Sequence, residues 1–117
     1  MLNIGLLGAG RIGQVHGATL AQMTTARAAA VSDFLPDAAA ALAAKLGATA
    51  MSTDEIIADK SIDAVVIGTP TATHYDIIHE AAAAGKAIFC EKPVDLSTDR
   101  IRECLAIVEK AGVPFMT

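Results

Sequence analysis

The stretch Gly8-Ala9-Gly10-Arg11-Ile12-Gly13 decides the fold of this chain. It follows an apolar run, Leu2–Leu7, that has the composition of a buried strand, and it leads into a helical pattern. A carboxylate, Asp33, stands about 20 residues after Gly13, at the end of a second apolar run. A strand, three glycines at this spacing, a helix and a later acid are together typical of a dinucleotide site. The sequence therefore predicts a nucleotide-binding α/β fold.

Each glycine of this stretch has its own expected role. A tight turn leaves the strand at the first glycine, bare backbone approaches a pyrophosphate at the second, and helix and strand pack closely at the third. The N-terminus of the helix offers unpaired N–H groups and partial positive charge to phosphates. A glycine-rich turn without a ligand is the alternative. The residues expected at the diphosphate are Gly8, Gly10, Arg11, Ile12 and Gly13.

Asp33 predicts which coenzyme is preferred. A carboxylate accepts hydrogen bonds from both ribose hydroxyls of an adenosine, and it repels the 2′-phosphate of NADP. Neither Phe34 nor Leu35, which follow Asp33, carries a positive charge that would neutralise this phosphate. We therefore expect NAD to be preferred over NADP. The alternative is an aspartate in a solvated turn.

Strands and helices alternate along the whole chain. Strands are predicted at residues 2–7, 27–32, 48–51, 62–68, 87–90 and 114–117. The helical crossovers between them imply a doubly wound parallel sheet in three α/β/α layers, ordered 3-2-1-4-5-6. The first helix, predicted over 11–23, has one apolar stripe formed by Ile12, Val15, Thr19, Leu20 and Met23. A capping box at Ser52 and a hydrophobic staple between Leu96 and Ile101 are predicted to open two later helices.

The carboxyl ends of strands one, two, four and five are expected to line one crevice. After strand four, small residues and a proline suit a loop that passes close to a ribose, and this loop consists of Thr69, Pro70 and Thr71. His74 follows in the first helical turn and is predicted to point toward the coenzyme. A buried histidine that is hydrogen-bonded to backbone is an equal alternative.

The second informative cluster is Glu91-Lys92-Pro93, after strand five. The proline pushes Lys92 into an extended geometry, which would aim its side chain into the crevice. The positive charge of a nicotinamide and burial both favour the neutral form of a neighbouring lysine. Lys92 is then suited to relay a proton from a substrate hydroxyl. The alternative is a Glu91–Lys92 ion pair on the surface of a loop.

Composition limits the remaining classes of function. The 117 residues suit one domain, residues 1–117, and are too few for two of ordinary size. Hydrophobic residues make up 53% of the chain, yet no apolar run approaches the roughly 18 residues of a membrane helix. The net charge is −4, the basic residues are scattered and only 3% of the residues are aromatic. We therefore expect neither a membrane nor a nucleic-acid partner.

The cysteines and the start of the chain indicate the compartment. Cys90 and Cys104 lack the spacing of metal ligands, so no metal is expected. The first ten residues have no basic region and are interrupted by glycine, unlike a secretory signal. We therefore expect reduced thiols and a cytoplasmic protein.

Three pieces of the chain, GLLGAGRIGQVH, TPTATHYDIIHEAAAAGK and FCEKP, occur in this order over essentially its whole length. In them the chain resembles the N-terminal Rossmann domain of the Gfo/Idh/MocA oxidoreductases, and especially the inositol 2-dehydrogenase branch. The resemblance implies hydride transfer between NAD(P) and a sugar or cyclitol hydroxyl. It implies that Lys92 orients the substrate and assists proton movement, that Glu91 and Pro93 shape the same loop, and that residues 69–74 line the nicotinamide side.

The resemblance also implies a second domain, which holds most substrate contacts and the usual oligomer surface. We therefore expect a coenzyme domain that binds NAD with negligible turnover alone, belongs to a homo-oligomer at full length, and is prone to dimerise through its uncovered apolar surface. Two other hypotheses stay open. One is a nucleotide-binding module without catalysis, such as a redox sensor or a CoA-binding domain. The other is a dehydrogenase or reductase of an amino-acid intermediate.

Overall fold

The computed structural model describes all 117 residues and contains one six-stranded sheet. The strands are ordered β3-β2-β1-β4-β5-β6, and every neighbouring pair is parallel. Their bounds are β1 Leu2–Leu7, β2 Ala26–Ser32, β3 Thr49–Ala50, β4 Ala64–Ile67, β5 Ala87–Cys90 and β6 Phe115–Met116. The doubly wound parallel sheet and its predicted strand order are confirmed.

Five α-helices connect the strands. Their bounds are α1 Arg11–Ala21, α2 Pro36–Leu46, α3 Thr53–Ala58, α4 His74–Ala83 and α5 Thr98–Ala111. A 3₁₀ turn, Thr71–Thr73, precedes α4, and His74 opens the α-helix itself, in agreement with its predicted place in the first helical turn. No helix combines the length and the apolar character that a membrane span needs.

The main core lies between the sheet and the helices α3, α4 and α5. Alternate residues of the central strands point to this side, among them Leu7, Val65 and Ile67, which are fully buried. On the other side, α2 packs on β2 through residues such as Leu42. Beyond α1, on that second side, β4, β5 and β6 border an open groove of about 450 Å³ whose lining is almost wholly apolar.

Of the apolar stripe predicted for α1, only Leu20 is buried, in a cluster with residues of β1 and β2. The buried residues of α1 are Gly13, Gly17 and Leu20, whereas Val15 is 54% exposed and Met23 lies beyond the end of the helix. Glycines bring α1 close to its neighbours, because a Cβ on Gly17 would lie only 2.9 Å from a methyl carbon of Leu46. A search for large apolar residues overlooks a helix face whose packing depends on the absence of side chains.

Of the two motifs predicted at helix starts, the capping box at Ser52 is confirmed and the hydrophobic staple at Leu96 is wrong. Both hydrogen bonds of the capping box form, since the Glu55 N–H donates to the Ser52 hydroxyl oxygen and the Ser52 N–H donates to the Glu55 carboxylate. The staple between Leu96 and Ile101 does not form. Leu96 is 88% exposed, while Ile101 packs against the main core.

Candidate coenzyme-binding site

The glycine turn between β1 and α1 has a shape that side chains would prevent. Gly8 has φ +107°, and a Cβ there would lie 2.6 Å from the carbonyl oxygen of Gly68. A Cβ on Gly13 would overlap the carbonyl oxygen of Gly8. Gly10 differs from both, because no atom lies within 4 Å of the position of its Cβ. The turn is therefore tight on its protein side and open at Gly10.

The N-terminus of α1 lacks a capping group from the chain. Gly10 precedes the helix without a side-chain hydrogen bond, and the first turn carries no acidic residue. The N–H groups at the start of a helix have no partner within the helix itself, so those of Arg11, Ile12 and Gly13 are suited to an anion. Arg11 is exposed at the same end of the helix.

Asp33 connects the end of β2 to the glycine turn. Its Oδ1 atom accepts a hydrogen bond of 2.7 Å from the N–H of Ala9, and its Oδ2 atom accepts one of 2.9 Å from the N–H of Leu35. Each carboxylate oxygen keeps capacity for a further donor such as a ribose hydroxyl. A cleft of about 280 Å³ begins at Asp33 and continues along Met51 and Glu55. Asp33 is thus half-buried and fixed, unlike an aspartate in a freely solvated turn.

The loop after β4 stands opposite the glycine turn, because β1 and β4 are neighbours in the sheet. Thr69 and Thr73 share a hydrogen bond of 2.7 Å between their hydroxyl groups. The hydroxyl of Thr73 is also 2.7 Å from the carbonyl oxygen of Pro70. Thr71 opens the short 3₁₀ turn and is half-buried. The loop is therefore braced by its own hydroxyl groups.

His74 is the buried histidine of the alternative interpretation. Its exposure is 1%, and both of its ring nitrogens face backbone carbonyl groups. Nε2 lies 2.9 Å from the carbonyl oxygen of Thr69, and Nδ1 lies 3.0 Å from that of Pro93 and 3.2 Å from that of Val94. His74 thus ties the loop after β4 to the loop after β5. Neither ring nitrogen of His74 is therefore free to form the coenzyme contact that the sequence predicts.

Lys92 lies in the loop after β5, where the Lys92–Pro93 peptide bond is cis. Lys92 and Pro93 are both exposed, and Lys92 takes part in no salt bridge. The Glu91 carboxylate is held elsewhere, since its Oε1 atom lies 2.8 Å from Nε2 of His16 and its Oε2 atom accepts the N–H of Lys92 at 3.2 Å. The alternative of a Glu91–Lys92 surface pair is therefore wrong.

His16 is the residue that the sequence alone does not assign to the site. It lies on α1, one turn beyond Gly13, and its ring stands edge-on against that of Phe89 with the ring centroids 5.4 Å apart. Its partner Glu91 is 75 positions away along the chain. The only available signal is its place one helical turn after the glycine stretch.

Two further features lie outside this crevice. Burial raises the pKa of the Cys90 thiol to about 12, which disfavours a nucleophilic thiolate. An open cavity of about 610 Å³ lies between the C-terminal ends of α4 and α5 and contains none of the predicted site residues. The predicted residues instead gather at the carboxyl ends of β1, β2, β4 and β5.

A family of known proteins matches nearly the whole chain. The model of the oxidoreductase family with an NAD-binding Rossmann fold matches residues 2–117. The inositol 2-dehydrogenase of Rhizobium meliloti (strain 1021) is 50% identical over 115 residues, which are 98% of this chain and 35% of that protein.

Solved structures share the fold. A protein of Sinorhizobium meliloti 1021, provisionally described as a myo-inositol dehydrogenase, is 49% identical with a TM-score of 0.97, covering 99% of this chain and 35% of that one. GenD2 from gentamicin A biosynthesis, solved in complex with NAD, is 33% identical with a TM-score of 0.94, covering 98% and 33%. The chain thus spans about a third of the length of these relatives. It belongs to the Gfo/Idh/MocA oxidoreductases and forms their NAD-binding Rossmann domain.

Proposed function

We propose that the chain binds NAD across the carboxyl edge of its sheet and serves as the coenzyme domain of a polyol or cyclitol dehydrogenase. The observation that carries this proposal is the open backbone at Gly10, beside an uncapped helix N-terminus and next to the fixed carboxylate of Asp33. The diphosphate would lie against α1 and the adenosine ribose against Asp33. The NAD complex of GenD2 and the inositol 2-dehydrogenase relative support the coenzyme and the substrate class.

NAD is the preferred coenzyme in this proposal. The Asp33 carboxylate would repel a 2′-phosphate, and the residues that follow it, Phe34 and Leu35, are exposed but uncharged. The positive charge of Arg11 would attract the diphosphate, which both coenzymes contain, so Arg11 does not distinguish between them. A fluorescence titration with NADH and with NADPH tests the preference: NADH is expected to bind at least about tenfold more tightly, since one charge repulsion of this kind costs on the order of 1.4 kcal/mol or more. Equal or tighter binding of NADPH would contradict it.

Lys92 is the catalytic residue of the proposal. The bound coenzyme would supply the acceptor for the hydride that leaves the carbon of the substrate hydroxyl. The Lys92 amine accepts the hydroxyl proton or hydrogen-bonds the oxygen as the carbonyl forms. Its freedom from any salt bridge supports this role, since pairing with a carboxylate would stabilise the charged amine, which cannot accept a proton. Glu91 and Pro93 give the loop its shape, and the residues 69–71 border the nicotinamide side.

The substrate contacts would come from outside these residues. We propose that residues 1–117 are a single domain that binds NAD and has negligible turnover by itself, since the relatives are about three times as long. The apolar groove bordered by β4, β5 and β6 would favour dimerisation of the chain by itself. Two free, buried cysteines suit the reducing cytoplasm. Formation of NADH from inositol by the purified chain would contradict the proposed lack of turnover.

A further inference from the structure

The loop that carries Lys92 is held by two histidines from two different helices. His74, on α4, contacts the carbonyl oxygens of Pro93 and Val94, the two residues that follow Lys92 in the sequence. His16, on α1, contacts the carboxylate of Glu91, the residue that precedes Lys92. The Lys92 side chain therefore projects from a short segment that is fixed on both sides.

The contact of His16 is the more informative of the two, because it decides where a negative charge lies. Glu91 is the immediate neighbour of Lys92, and a carboxylate that swings toward an ammonium group stabilises the charged form of the amine. In the structure both carboxylate oxygens are engaged, Oε1 by His16 and Oε2 by the backbone N–H of Lys92. The side chains of His16 and Glu91 are 21% and 25% exposed, so water competes only partly for this contact.

The position of His16 on its helix gives this contact a second consequence. Phe89, in the strand that leads to Glu91, packs against the ring of His16 and limits where the ring can turn. Since His16 lies one turn beyond Gly13, the helix proposed to bind the diphosphate also carries the group that fixes the carboxylate beside Lys92. The contact between His16 and Glu91 therefore joins the start of α1 to the loop that carries Lys92.

We propose that His16 is a positioning residue for Lys92: it holds the Glu91 carboxylate against α1 and so keeps it away from the Lys92 amine. The inference rests on the proposed function in so far as Lys92 acts as a proton acceptor. Without His16, the Glu91 side chain is released and pairs with the ammonium group of Lys92. The ion pair then stabilises the charged form of the amine, so a smaller fraction of Lys92 is neutral and able to accept a proton.

Competitive acylation of lysines tests this in the 117-residue chain without coenzyme. Only the neutral amine reacts with a limiting amount of an acetylating reagent, and mass spectrometry measures the rate at Lys92 relative to the exposed Lys45 and Lys110 of the same molecule. His16→Phe removes the hydrogen-bond donor but keeps an aromatic ring against Phe89. The relative rate at Lys92 is expected to fall about two- to five-fold, the range of an exposed ion pair.

Two further variants separate charge from shape. His16→Gln keeps an N–H donor near the place of Nε2 and is expected to restore the wild-type rate. The double variant His16→Phe/Glu91→Gln removes the released charge and is also expected to restore it. An unchanged rate in His16→Phe, or a slow rate that persists in the double variant, would overturn the proposal. A separate NADH titration distinguishes this from the proposed function: absence of binding refutes coenzyme binding and leaves the acylation result intact.

Discussion

The glycine turn and the Lys92 loop occupy equivalent places, each at the carboxyl end of a parallel strand, yet they are held by different means. Close backbone packing shapes the glycine turn, since Gly8 and Gly13 lie against carbonyl groups that leave no room for a side chain, and one side chain, that of Asp33, adds a hydrogen bond to Ala9. Side chains from distant parts of the chain fix the Lys92 loop, through His16 and His74. The glycine spacing marks the first region in the sequence, whereas no short pattern marks the contacts that hold the second. Substitutions should therefore act differently in the two regions.

The largest effect is expected at Gly13. Gly13→Ala inserts a methyl group into the Gly8 carbonyl oxygen, so the helix must move away from the strand. The free energy of unfolding, measured with urea, should fall by about 2–4 kcal/mol. Gly10→Ala is the matched control, because its methyl group meets open space and should change stability by less than about 0.5 kcal/mol. It should still weaken NADH binding. Equal stability losses in both variants would contradict this view of the turn.

His74 should matter nearly as much for stability. His74→Ala leaves a cavity and removes the partner of buried carbonyl groups in two loops. Chemical denaturation should show a loss of about 2–3 kcal/mol. His79→Ala is the control on the same helix, because His79 is only half-buried and bonds a carbonyl group of its own helix, and it should cost less than about 1 kcal/mol. A His74 variant as stable as the wild type would show that the two loops do not depend on this tie.

Asp33 should affect binding more than folding. Asp33→Asn removes the negative charge, and the affinity for NADH is expected to fall about tenfold, the value of one or two charge-assisted hydrogen bonds. The affinity for NADPH should fall less, because the repulsion of its 2′-phosphate is lost as well. Asp37→Asn, in the first turn of α2, is the control and should leave both affinities unchanged. Fluorescence titration measures the affinity for both coenzymes. An equal loss of affinity for NADH and NADPH would contradict the proposed repulsion of the 2′-phosphate by Asp33.

The smallest effect concerns acid stability near the Lys92 loop. The Ser97 N–H, and next the Arg100 guanidinium, lower the pKa of Asp95 below its ordinary 3.8. A lowered pKa in the folded state means that the contribution of Asp95 is present above pH 3.8 and is lost as the pH falls through the folded value. Asp95→Asn should therefore flatten this acid-side loss. Salt should reduce the difference, because Arg100 is exposed.

Acid titration followed by circular dichroism, at low and at high salt, measures the Asp95 effect. Asp99→Asn is the control, because its contact with Arg102 is at 3.8 Å between two exposed side chains. Identical acid profiles for wild type and Asp95→Asn would contradict the assignment.

The same contrast explains how much of the molecule was predictable from its sequence. Strands β1 and β5 and the order of the sheet follow from periodicity and from glycine spacing, which are local signals. The contact between His16 and Glu91 joins residues 75 positions apart, and no local pattern indicates it. Two of the predictions that the structure does not bear out, the stripe on α1 and the staple at Leu96, share one cause. A stripe on α1 and a staple at Leu96 were inferred from apolar side chains, although packing depended on glycines in the first case and the loop left Leu96 exposed in the second.

The central claim is that a dinucleotide lies against the start of α1 and is held by Asp33. Titration of the ¹⁵N-labelled chain with NAD, followed by amide chemical shifts, tests it most directly. The largest changes are expected at the N–H groups of Gly10, Arg11 and Ile12 and at that of Ala9, which is bonded to Asp33. No change at millimolar NAD, or changes confined to the cavity between α4 and α5, would contradict the account.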